Sequence, residues 1–438
     1  MEFEGKGSSM VRQSMILVVA AFSFLTNGRA AGDWAGFRGP GVRGSSPETD
    51  LVTTWSETEN LKWKTPLPGP GSSSPIVRGD KVFVTCYSGY GVDKDSPGDP
   101  SNLKRHLLCI NAADGKVLWD KAVPAVLPEI PYNGRIQEHG YASHTPATDG
   151  HRIYAFFGKS GVLAFDFQGN QLWQHGVGTD SDKMKWGSAS SVTLYGDLVI
   201  VNAWDESKTL YALNKSDGGE VWKQDLSGSE LTFSTPVMAD LGDGKRELIM
   251  TLPMEVWGLN PETGQKLWWV KTTMKGLVTG TPVVIGEKAY VHGGGPDALS
   301  SLCVRLGGRG DVTDTHVLWS NAQAASVPSP TYCDGLFYWV TNDGKACCQD
   351  PENGQLKYEQ TLPVTGRFAV YASVVSTPQR LYAVTRTGGT FVLATGPAFN
   401  IIAHNKFESD ESDFNGSPAI GGGRIFLRSN RFLYCVGR

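Results

Sequence analysis

The sequence repeats a short pattern of glycine and aromatic residues along most of its length, and this repeat limits the fold more than any other feature. In each copy a glycine precedes an aromatic residue by four positions, beside a run of β-branched and aliphatic residues. The pairs are Gly115 and Trp119, Gly169 and Trp173, Gly218 and Trp222, Gly264 and Trp268, and Gly354 and Tyr358. Trp319 ends a sixth copy, whose turn is longer.

Each copy also begins with a small residue followed by proline. These openings are Ser74-Pro75, Thr145-Pro146, Thr235-Pro236, Thr281-Pro282, Ser329-Pro330 and Ser417-Pro418. In two degenerate copies Ala189 and Val374 take the place of the proline. Within a copy, short hydrophobic runs alternate with Gly, Asp and Asn turns, which predicts four antiparallel strands. Eight such copies, about 45 residues apart, predict an all-β fold, an eight-bladed β-propeller.

The two ends of the repeat indicate how the ring closes. The last copy, Pro418 to Arg438, has room for three strands only, whereas Leu61 to Leu67 resembles a closing strand with Trp63 at the aromatic position. We predict that this early strand completes the last blade, because closure removes the free sheet edges of an open ring. The predicted organisation is a signal peptide over 1–30, an N-terminal extension over 31–54 and the propeller over 55–438.

The N-terminal segment has the composition of an export signal. A basic residue precedes the apolar run Met15 to Leu25, and small residues follow it. The run has 11 residues, fewer than the about 20 that span a bilayer, so no transmembrane segment is expected in the mature chain. A buried helix is the alternative. We expect a periplasmic or secreted protein whose translation starts at Met1 or Met10.

Charge and composition exclude several classes of function. The chain has 40 Lys and Arg against 44 Asp and Glu, a net charge of −4, so no nucleic-acid partner is expected. Disorder and helical repeats are disfavoured by 53 glycines and 13 tryptophans among only 19% charged residues. We expect a folded, monomeric protein.

The chain has seven cysteines, and their odd number leaves at least one thiol unpaired. Two of them, Cys347 and Cys348, are adjacent and allow two interpretations. They could form a strained ring disulfide with redox character. Alternatively, they are small buried residues of a strand, since other copies have Leu, Ala or Val at these places. Their position inside a predicted strand favours the second interpretation.

The tryptophans fall into two groups. Those that close a copy recur at one structural position and are expected to wedge neighbouring blades together. They are Trp63, Trp119, Trp173, Trp222, Trp268 and Trp319. The other group lies elsewhere in the copies and is free to bind a ligand: Trp186, Trp204, Trp257 and Trp339.

Two long insertions identify a candidate binding face. Residues 88–105 form the second loop of blade 1, and residues 122–143 connect blade 1 to blade 2. Alternate connections of an antiparallel meander lie on opposite faces, so both insertions fall on one face, which we call the insertion face. Extra loops on one face of a repeat ring commonly carry the binding site. The alternative is a surface excursion without a ligand.

Polar and aromatic side chains are predicted to meet at the channel mouth on the insertion face. Residues 138–145 lead into the inner strand of blade 2, and residues 185–188 hold the matching place one blade later. We predict a surface for a protein or carbohydrate partner of the cell envelope. Its candidate residues are Glu138, His139, Tyr141, His144, Lys185, Trp186 and Trp204. A metal site at Glu138, His139 and His144 is disfavoured, because the spacing matches no standard motif; histidines satisfied by hydrogen bonds are expected instead.

A second candidate metal site lies on the opposite face. Asp240, Asp243 and Glu247 resemble a shortened calcium loop, although calcium takes six to eight oxygens. The same segment is a first turn, where Asp-Gly is a usual hairpin choice. We therefore expect a turn and no bound metal. The tripeptide from Arg309 to Asp311, in the third turn of blade 5, is interpreted as a chance match to an adhesion motif.

The repeats resemble the pyrroloquinoline-quinone-like (PQQ-like) β-propeller family. The resemblance is carried by units such as Ala212-Leu213-Asn214 before Trp222 and Gly258-Leu259-Asn260 before Trp268, and it covers nearly all of the mature chain. The opening Asp33-Trp34-Ala35-Gly36-Phe37-Arg38-Gly39-Pro40 is similar to the start of exported bacterial members.

The resemblance implies one of two functions. One branch of the family contains scaffolds similar to BamB, the outer-membrane assembly factor, and favours a protein that binds a partner and carries no cofactor. The other branch contains sugar or alcohol dehydrogenases that use PQQ and calcium, an Asp base and often a ring disulfide. Neither that base nor the calcium ligands map onto a position of this chain. We therefore expect the scaffold, with the quinoprotein dehydrogenase as the alternative.

Overall fold

The structure of this protein is a computed structural model that describes residues 1, 2, 4, 33–295, 297–366 and 368–438. The predicted signal peptide over 1–30 lies almost wholly outside these residues. Residues 31–438 form one compact unit. No helix in the described ranges is long and apolar enough to cross a membrane.

Eight antiparallel sheets form a ring, which confirms the predicted eight-bladed propeller. Blades 1 to 7 run from an inner to an outer strand in chain order, and blade 8 takes β1 as its outer strand. The strands are β1 (Leu61–Pro66); β2 (Ile76–Arg78), β3 (Lys81–Ser88), β4 (Lys104–Asn111) and β5 (Val117–Pro124) in blade 1; β6 (Ala147–Thr148), β7 (Arg152–Phe156), β8 (Val162–Asp166) and β9 (Gln171–His175) in blade 2; β10 (Thr193–Tyr195), β11 (Leu198–Ala203), β12 (Thr209–Asn214) and β13 (Glu220–Asp225) in blade 3; β14 (Val237–Asp240), β15 (Arg246–Leu252), β16 (Glu255–Leu259) and β17 (Lys266–Lys271) in blade 4; β18 (Val283–Ile285), β19 (Lys288–Gly293), β20 (Ser300–Arg305), β21 (Gly310–Asp311) and β22 (Val317–Asn321) from blade 5; β23 (Thr331–Cys333), β24 (Leu336–Val340), β25 (Lys345–Gln349) and β26 (Leu356–Thr361) in blade 6; β27 (Val375–Thr377), β28 (Arg380–Val384), β29 (Thr390–Ala394) and β30 (Ile401–Asn405) in blade 7; and β31 (Ala419–Gly421), β32 (Arg424–Arg428) and β33 (Phe432–Gly437) in blade 8.

Helical segments are short and lie in the connections. The α-helical turns are α1 (Ile136–His139), α2 (Trp204–Ser207) and α3 (Thr313–His316), and the 3-10 turns are Pro40–Val42, Pro100–Asn102 and Gly158–Ser160.

The ring is closed by β1, as the sequence predicts. β1 pairs antiparallel with β33, so blade 8 combines three C-terminal strands with one N-terminal strand. Trp63 opposes Cys435, and Thr65 opposes Leu433. The outer edge of blade 8 is thereby built like that of the other blades, and the two ends of the propeller are held together by backbone hydrogen bonds.

The closing tryptophans wedge the blades together, as expected. In five of them the indole N–H donates to a carbonyl in the third turn of the next blade, at 2.8–3.0 Å. The glycine of that turn faces the indole ring; a Cβ at Gly115, for example, would overlap Trp63. The glycine and the tryptophan of the repeat are therefore two sides of one contact between neighbouring blades. The five are Trp63, Trp119, Trp173, Trp222 and Trp319.

Blade 4 departs from this pattern because the third turn of blade 5 is longer. Trp268 is fully buried and donates to a carboxylate oxygen of Glu247 in its own blade, at 2.8 Å. The long turn places β21 in parallel beside β17, so blade 4 has a fifth strand. Within that turn Asp311 pairs with Lys271 at 2.8 Å. The tripeptide ending at Asp311 therefore has a structural role at the rim of blade 4.

The Ser or Thr of each opening contributes to a ring of hydroxyl groups around the channel axis. In six of the eight steps, the backbone N–H of one residue donates to the hydroxyl oxygen of its counterpart in the next blade, at 2.9–3.1 Å. This contact explains why the copies begin with Ser or Thr. The members of this hydroxyl ring are Ser74, Thr145, Ser191, Thr235, Thr281, Ser329, Ser373 and Ser417.

The hydroxyl ring corrects one assignment from the sequence. In blade 3 it is the N–H of Ser191 that donates to Thr235, so Val192 holds the place of the proline and Ala189 does not. The run of small residues from Ser188 to Ser191 allows both alignments, and only the contact between blades distinguishes them.

The N-terminal extension closes the end of the channel opposite the insertion face. Trp34 pairs with Val77 of blade 1, and the Arg43 side chain donates to the carbonyl of Val284 in blade 5, on the opposite side of the ring, so segment 33–46 crosses the whole ring. Between them, Arg38 is fully buried and donates to backbone carbonyls of blade 6. The segment similar to the start of exported relatives thus forms the floor of the propeller.

Two glycines of this floor provide a matched test of its packing. Gly39 and Gly41 both have φ of 64°, but a Cβ at Gly39 would overlap the indole of Trp34, whereas at Gly41 the nearest atom is the flexible Arg43 side chain at 3.5 Å. We expect Gly41→Ala to lower the free energy of unfolding by about 1 kcal/mol through backbone strain. Gly39→Ala is expected to lower it by about 2–4 kcal/mol in urea unfolding. Equal losses in the two variants would contradict this packing.

Candidate functional site

The inner strands enclose a cavity of about 710 Å³ along the axis, which we call the cup. Alternate residues of each inner segment face the axis, so the wall has two tiers. The lower tier is the hydroxyl ring. The upper tier, two residues earlier in each blade, is Ser72, Ser143, Ala189, Phe233, Thr279, Val327, Tyr371 and Asn415. Phe37 of the floor segment lines the far end, and the cup opens on the insertion face.

The two insertions pack against each other on that face, as predicted. Four tyrosines form the contact, with ring centroids 5.3–6.3 Å apart: Tyr87, Tyr90, Tyr132 and Tyr141. The backbone N–H of Tyr132 donates to the hydroxyl of Tyr90 at 3.0 Å. The long connection therefore has a fixed conformation and carries α1 over the mouth of the cup.

Arg135, just before α1, reaches across the mouth between two aromatic rings. Its guanidinium lies 4.7 Å from the ring centroid of Phe368 and 5.7 Å from that of Trp186. Both distances are within the range of cation–π attraction. Trp186 follows blade 2 and Phe368 precedes blade 7, so the guanidinium spans the opening between opposite sides of the ring.

Glu138 of α1 attaches the connection between blades 1 and 2 to two other blades. Its carboxylate pairs with Arg386 at 2.7 Å, and Arg386 also pairs with Asp413 at 2.6 Å. The backbone carbonyl of Glu138 accepts from the amide of Asn415 at 3.0 Å. These contacts attach the connection between blades 1 and 2 to blades 7 and 8 and partly roof the cup.

Hydrogen bonds satisfy both ring nitrogens of His139, as expected, whereas only one ring nitrogen of His144 has a partner among the described residues. The ring of His139 contacts the hydroxyl of Ser143 at 2.7 Å and the carbonyl of Trp186 at 2.8 Å. His144 contacts the hydroxyl of Ser188 at 2.6 Å. Burial lowers the pKa of His139, and lowers that of His144 to about 3, so both rings are neutral at physiological pH.

The other candidates are divided between the cup and the interior. Glu138, His139 and Trp186 line the cup. Tyr141 is buried and donates to the carbonyl of Ile130 at 2.7 Å, and Trp204 is 3% exposed between blades 3 and 4. Direct contact with a partner is thus closed to these two and to the buried His144. Lys185 is exposed beside the mouth.

Sequence reasoning missed Phe37, Phe368, Tyr371 and Arg386. Tyr371 stands two residues before Ser373, as Ser143 stands before Thr145, so extending the repeat alignment to blade 7 would have found it. Phe37 has no repeat partner, and no spacing places the floor segment beneath the ring. Arg386 is found only through its ion pairs, which join residues distant in the chain.

A buried acidic pair lies beneath the insertions. Asp205 and Glu206 of α2 are 3% and 2% exposed. Burial raises the pKa of Asp205 to about 6; burial, and then the nearby Asp205 carboxylate, raise that of Glu206 to about 8. The ion pair of Arg105 with Glu129, at 2.5 Å, is buried in the same region. Glu206 is therefore largely protonated near neutral pH, in a place where the fold disfavours its charge.

The calcium candidates on the opposite face do not converge. In the hairpin of β14 and β15, Asp240 opposes Arg246, whereas Glu247 opposes Ala239 on the other side of the sheet. Glu247 is buried against the indole of Trp268, and Asp243 lies in the exposed turn. Among the described residues there is no group of three or more His, Cys, Asp or Glu side chains that could hold a metal ion.

The residues of the cup also do not fit PQQ with calcium. The donor set lacks a metal-ligand cluster within the described ranges. Cys347 lines the cup, but Cys348 lies on the other side of β25 and its thiol contacts the carbonyl of Gly396 at 3.7 Å. All seven cysteines are buried free thiols, and burial raises the pKa of Cys348 to about 12. The pair therefore serves as buried strand residues.

Fold and cup define an eight-bladed repeat propeller with an axial cavity. A family model described as outer membrane protein assembly factor BamB matches residues 40–179, 100–206, 158–311 and 206–438, and the chain belongs to this family. Tetrathionate hydrolase of Acidithiobacillus ferrooxidans is 25% identical over 346 residues, which cover 71% of this chain and 64% of that protein. The chain thus spans less than two thirds of the length of this curated relative.

Solved structures share the fold at low sequence identity. BamB from Moraxella catarrhalis has a TM-score of 0.60 at 12% identity, covering 86% of this chain and 99% of that one. A europium-containing methanol dehydrogenase has a TM-score of 0.62 at 10% identity, covering 91% of this chain and 89% of that one. Quinohemoprotein alcohol dehydrogenase from Comamonas testosteroni has a TM-score of 0.62 at 10% identity, covering 93% of this chain and 80% of that one. The propeller is thus common to BamB and to two dehydrogenases.

Proposed function

We infer that this protein is an exported scaffold of the cell envelope that binds a protein or carbohydrate partner at the mouth of the cup. The observation that carries this proposal is the rim itself. Trp186 is partly exposed, Arg135 is oriented by two aromatic rings, and Glu138 of α1 is held by an ion pair to Arg386 of blade 7. Such a preorganised aromatic and charged rim is typical of binding surfaces.

The scaffold is tested by comparing two surface variants. We expect Trp186→Ala to reduce recovery of the partner from crosslinked envelope extract at least about tenfold, because exposed aromatic anchors dominate binding energy. Lys245→Ala, in the exposed first turn of blade 4 on the opposite face, is the matched control and should leave recovery unchanged. Equal recovery with both variants would contradict a site at the mouth.

The dehydrogenase remains the alternative function, and its support is the shared fold of the two alcohol-oxidising enzymes. It is tested by mixing the purified protein with PQQ and calcium and measuring dye reduction with sugars and alcohols. Substrate-dependent reduction, with a cofactor spectrum, would favour the enzyme over the scaffold.

A further inference from the structure

The hydroxyl ring carries an unused set of hydrogen-bond donors. Six of its hydroxyl oxygens accept a backbone N–H from the preceding blade. A hydroxyl group has a single proton, and none of these six donates it to a protein group in the part of the chain that the structure describes. All eight ring members line the cup. The wall therefore offers protons to a ligand with many oxygen acceptors.

The same ring disfavours a peptide in the cup. An extended peptide gains affinity chiefly by pairing its backbone with the free edge of a strand. At this wall the backbone N–H groups of Ser74, Thr145, Ser191, Thr281, Ser329 and Ser373 already donate to hydroxyls of the next blade. Side-chain hydroxyls, and no strand edge, face the axis, which suits a sugar better than a peptide backbone.

The rim adds a stacking surface and a cation. Trp186 offers its indole at the mouth, and the guanidinium of Arg135 lies beside it. Two other described cations near the cup are paired with carboxylates: Arg386 pairs with Glu138 and Asp413, and Lys345 pairs with Glu359 at 3.2 Å. Within the described ranges Arg135 has no carboxylate partner. A planar guanidinium in this state suits bidentate binding of one carboxylate.

A carboxylate without an ion pair limits the charge of the ligand. Asp343 lines the cup and accepts from the hydroxyl of Thr341 at 2.5 Å, and it has no ion pair among the described residues. Glu359 also lines the cup, but its charge is balanced by Lys345. The carboxylate of Asp343 would repel a ligand with several negative groups. A single carboxylate near Arg135, with neutral hydroxyl groups elsewhere, matches the distribution of charge.

We propose that the cup binds the end of a saccharide chain that carries one carboxylate, with Trp186 stacking on a sugar ring, Arg135 holding the carboxylate and the hydroxyl ring binding sugar oxygens. The volume of about 710 Å³ lies within the range of about 300–1,000 Å³ usual for small-ligand pockets. This proposal rests on the proposed function and names the chemical class of partner for the same site.

The test compares three trisaccharides of equal length by calorimetry on the purified chain. Xylotriose is neutral, an aldotriouronic acid has one carboxylate, and trigalacturonate has three. We expect the aldotriouronic acid to bind at least about fivefold more tightly than the other two, since one charge-assisted hydrogen-bonded pair is worth about that much. Equal affinity for all three, or tightest binding of trigalacturonate, would overturn the proposal.

Three variants assign the contacts. Arg135→Ala is expected to remove the preference for the aldotriouronic acid while leaving xylotriose affinity unchanged. Thr281→Val keeps the side-chain shape and removes a hydroxyl that accepts none of the six N–H hydrogen bonds of the ring. We expect it to weaken the binding of both sugars about two- to tenfold. Lys245→Ala, in the exposed first turn of blade 4 on the opposite face, is the control and should change neither. Preference retained in Arg135→Ala would contradict the proposed role of the guanidinium.

Failure of this proposal is distinguishable from failure of the scaffold. If no trisaccharide binds but Trp186→Ala still abolishes recovery of a protein partner from the envelope, the saccharide proposal is wrong and the proposed scaffold function is retained. If neither sugar binding nor partner recovery depends on Trp186, both are wrong. PQQ with calcium serves as a further probe, and binding of PQQ in preference to every sugar would also overturn the saccharide.

Discussion

Trp63→Ala is expected to lower the free energy of unfolding by about 3–5 kcal/mol, the usual loss for a large buried aromatic residue. Trp63 is 8% exposed, and its indole packs over Gly115 and donates to the carbonyl of Ala112 at 2.9 Å. It also lies on β1, the strand that completes blade 8. The substitution therefore removes a blade-to-blade contact at the one place where the two ends of the propeller meet.

The matched control for this variant is Lys62→Ala, on the neighbouring, exposed position of the same strand. This substitution alters the outer edge of blade 8 without touching the core, so we expect the free energy of unfolding to change by no more than about 0.5 kcal/mol. Urea unfolding followed by tryptophan fluorescence and by circular dichroism measures both variants. If Trp63→Ala were no worse than Lys62→Ala, the closing strand would contribute little to the ring.

Stability is expected to fall as the pH rises from about 5 to 9, and Glu206→Gln is expected to remove most of that fall. The pKa of Glu206 is raised to about 8 in the folded chain, chiefly by burial. The folded protein therefore binds this proton more tightly than the unfolded chain does. The resulting stability is complete below the ordinary pKa of a glutamate and is lost as the pH rises through about 8.

The size of this effect is expected to be at least about 2 kcal/mol, since a tenfold difference in proton affinity corresponds to about 1.4 kcal/mol. Thermal unfolding between pH 5 and pH 9 measures it. Glu411→Gln, at an exposed position, is the control and should keep the pH dependence of the parent chain. A parent chain with the same free energy of unfolding at pH 5 and pH 9 would show that Glu206 ionises without destabilising the fold.

The architecture could be predicted from the sequence because each of its contacts recurs. The pairing of Gly115 with Trp63, and its equivalents, places the same glycine and tryptophan in copy after copy, so one physical contact appears as a period in the chain. Ring closure also followed from counting strands at the two ends. The misplaced marker at Ala189 shows the limit, since adjacent small residues carry no sign of which one faces the axis.

The site could be predicted less well because it is made of residues that do not recur. Trp186, Glu138 and His139 were found through their places before inner strands, and they do line the cup. Tyr141 and His144 share those connections, but their side chains turn inward to fill the tyrosine contact and the space beside Phe156. Phe37 reaches the cup from a segment outside the repeat.

The crossing of the ring by segment 33–46 and the pairing of β1 with β33 have a consequence for folding during synthesis. Residues of these two segments contact blades 5, 6, 7 and 8, which the ribosome makes last. Arg38 lacks its carbonyl acceptors in blade 6 until residue 330 has been made, and Trp63 lacks the strand that opposes it until residue 435 has been made. Contacts between residues so far apart along the chain form slowly. The nascent polypeptide must therefore stay soluble, with these side chains unsatisfied, for nearly the whole time of its translation.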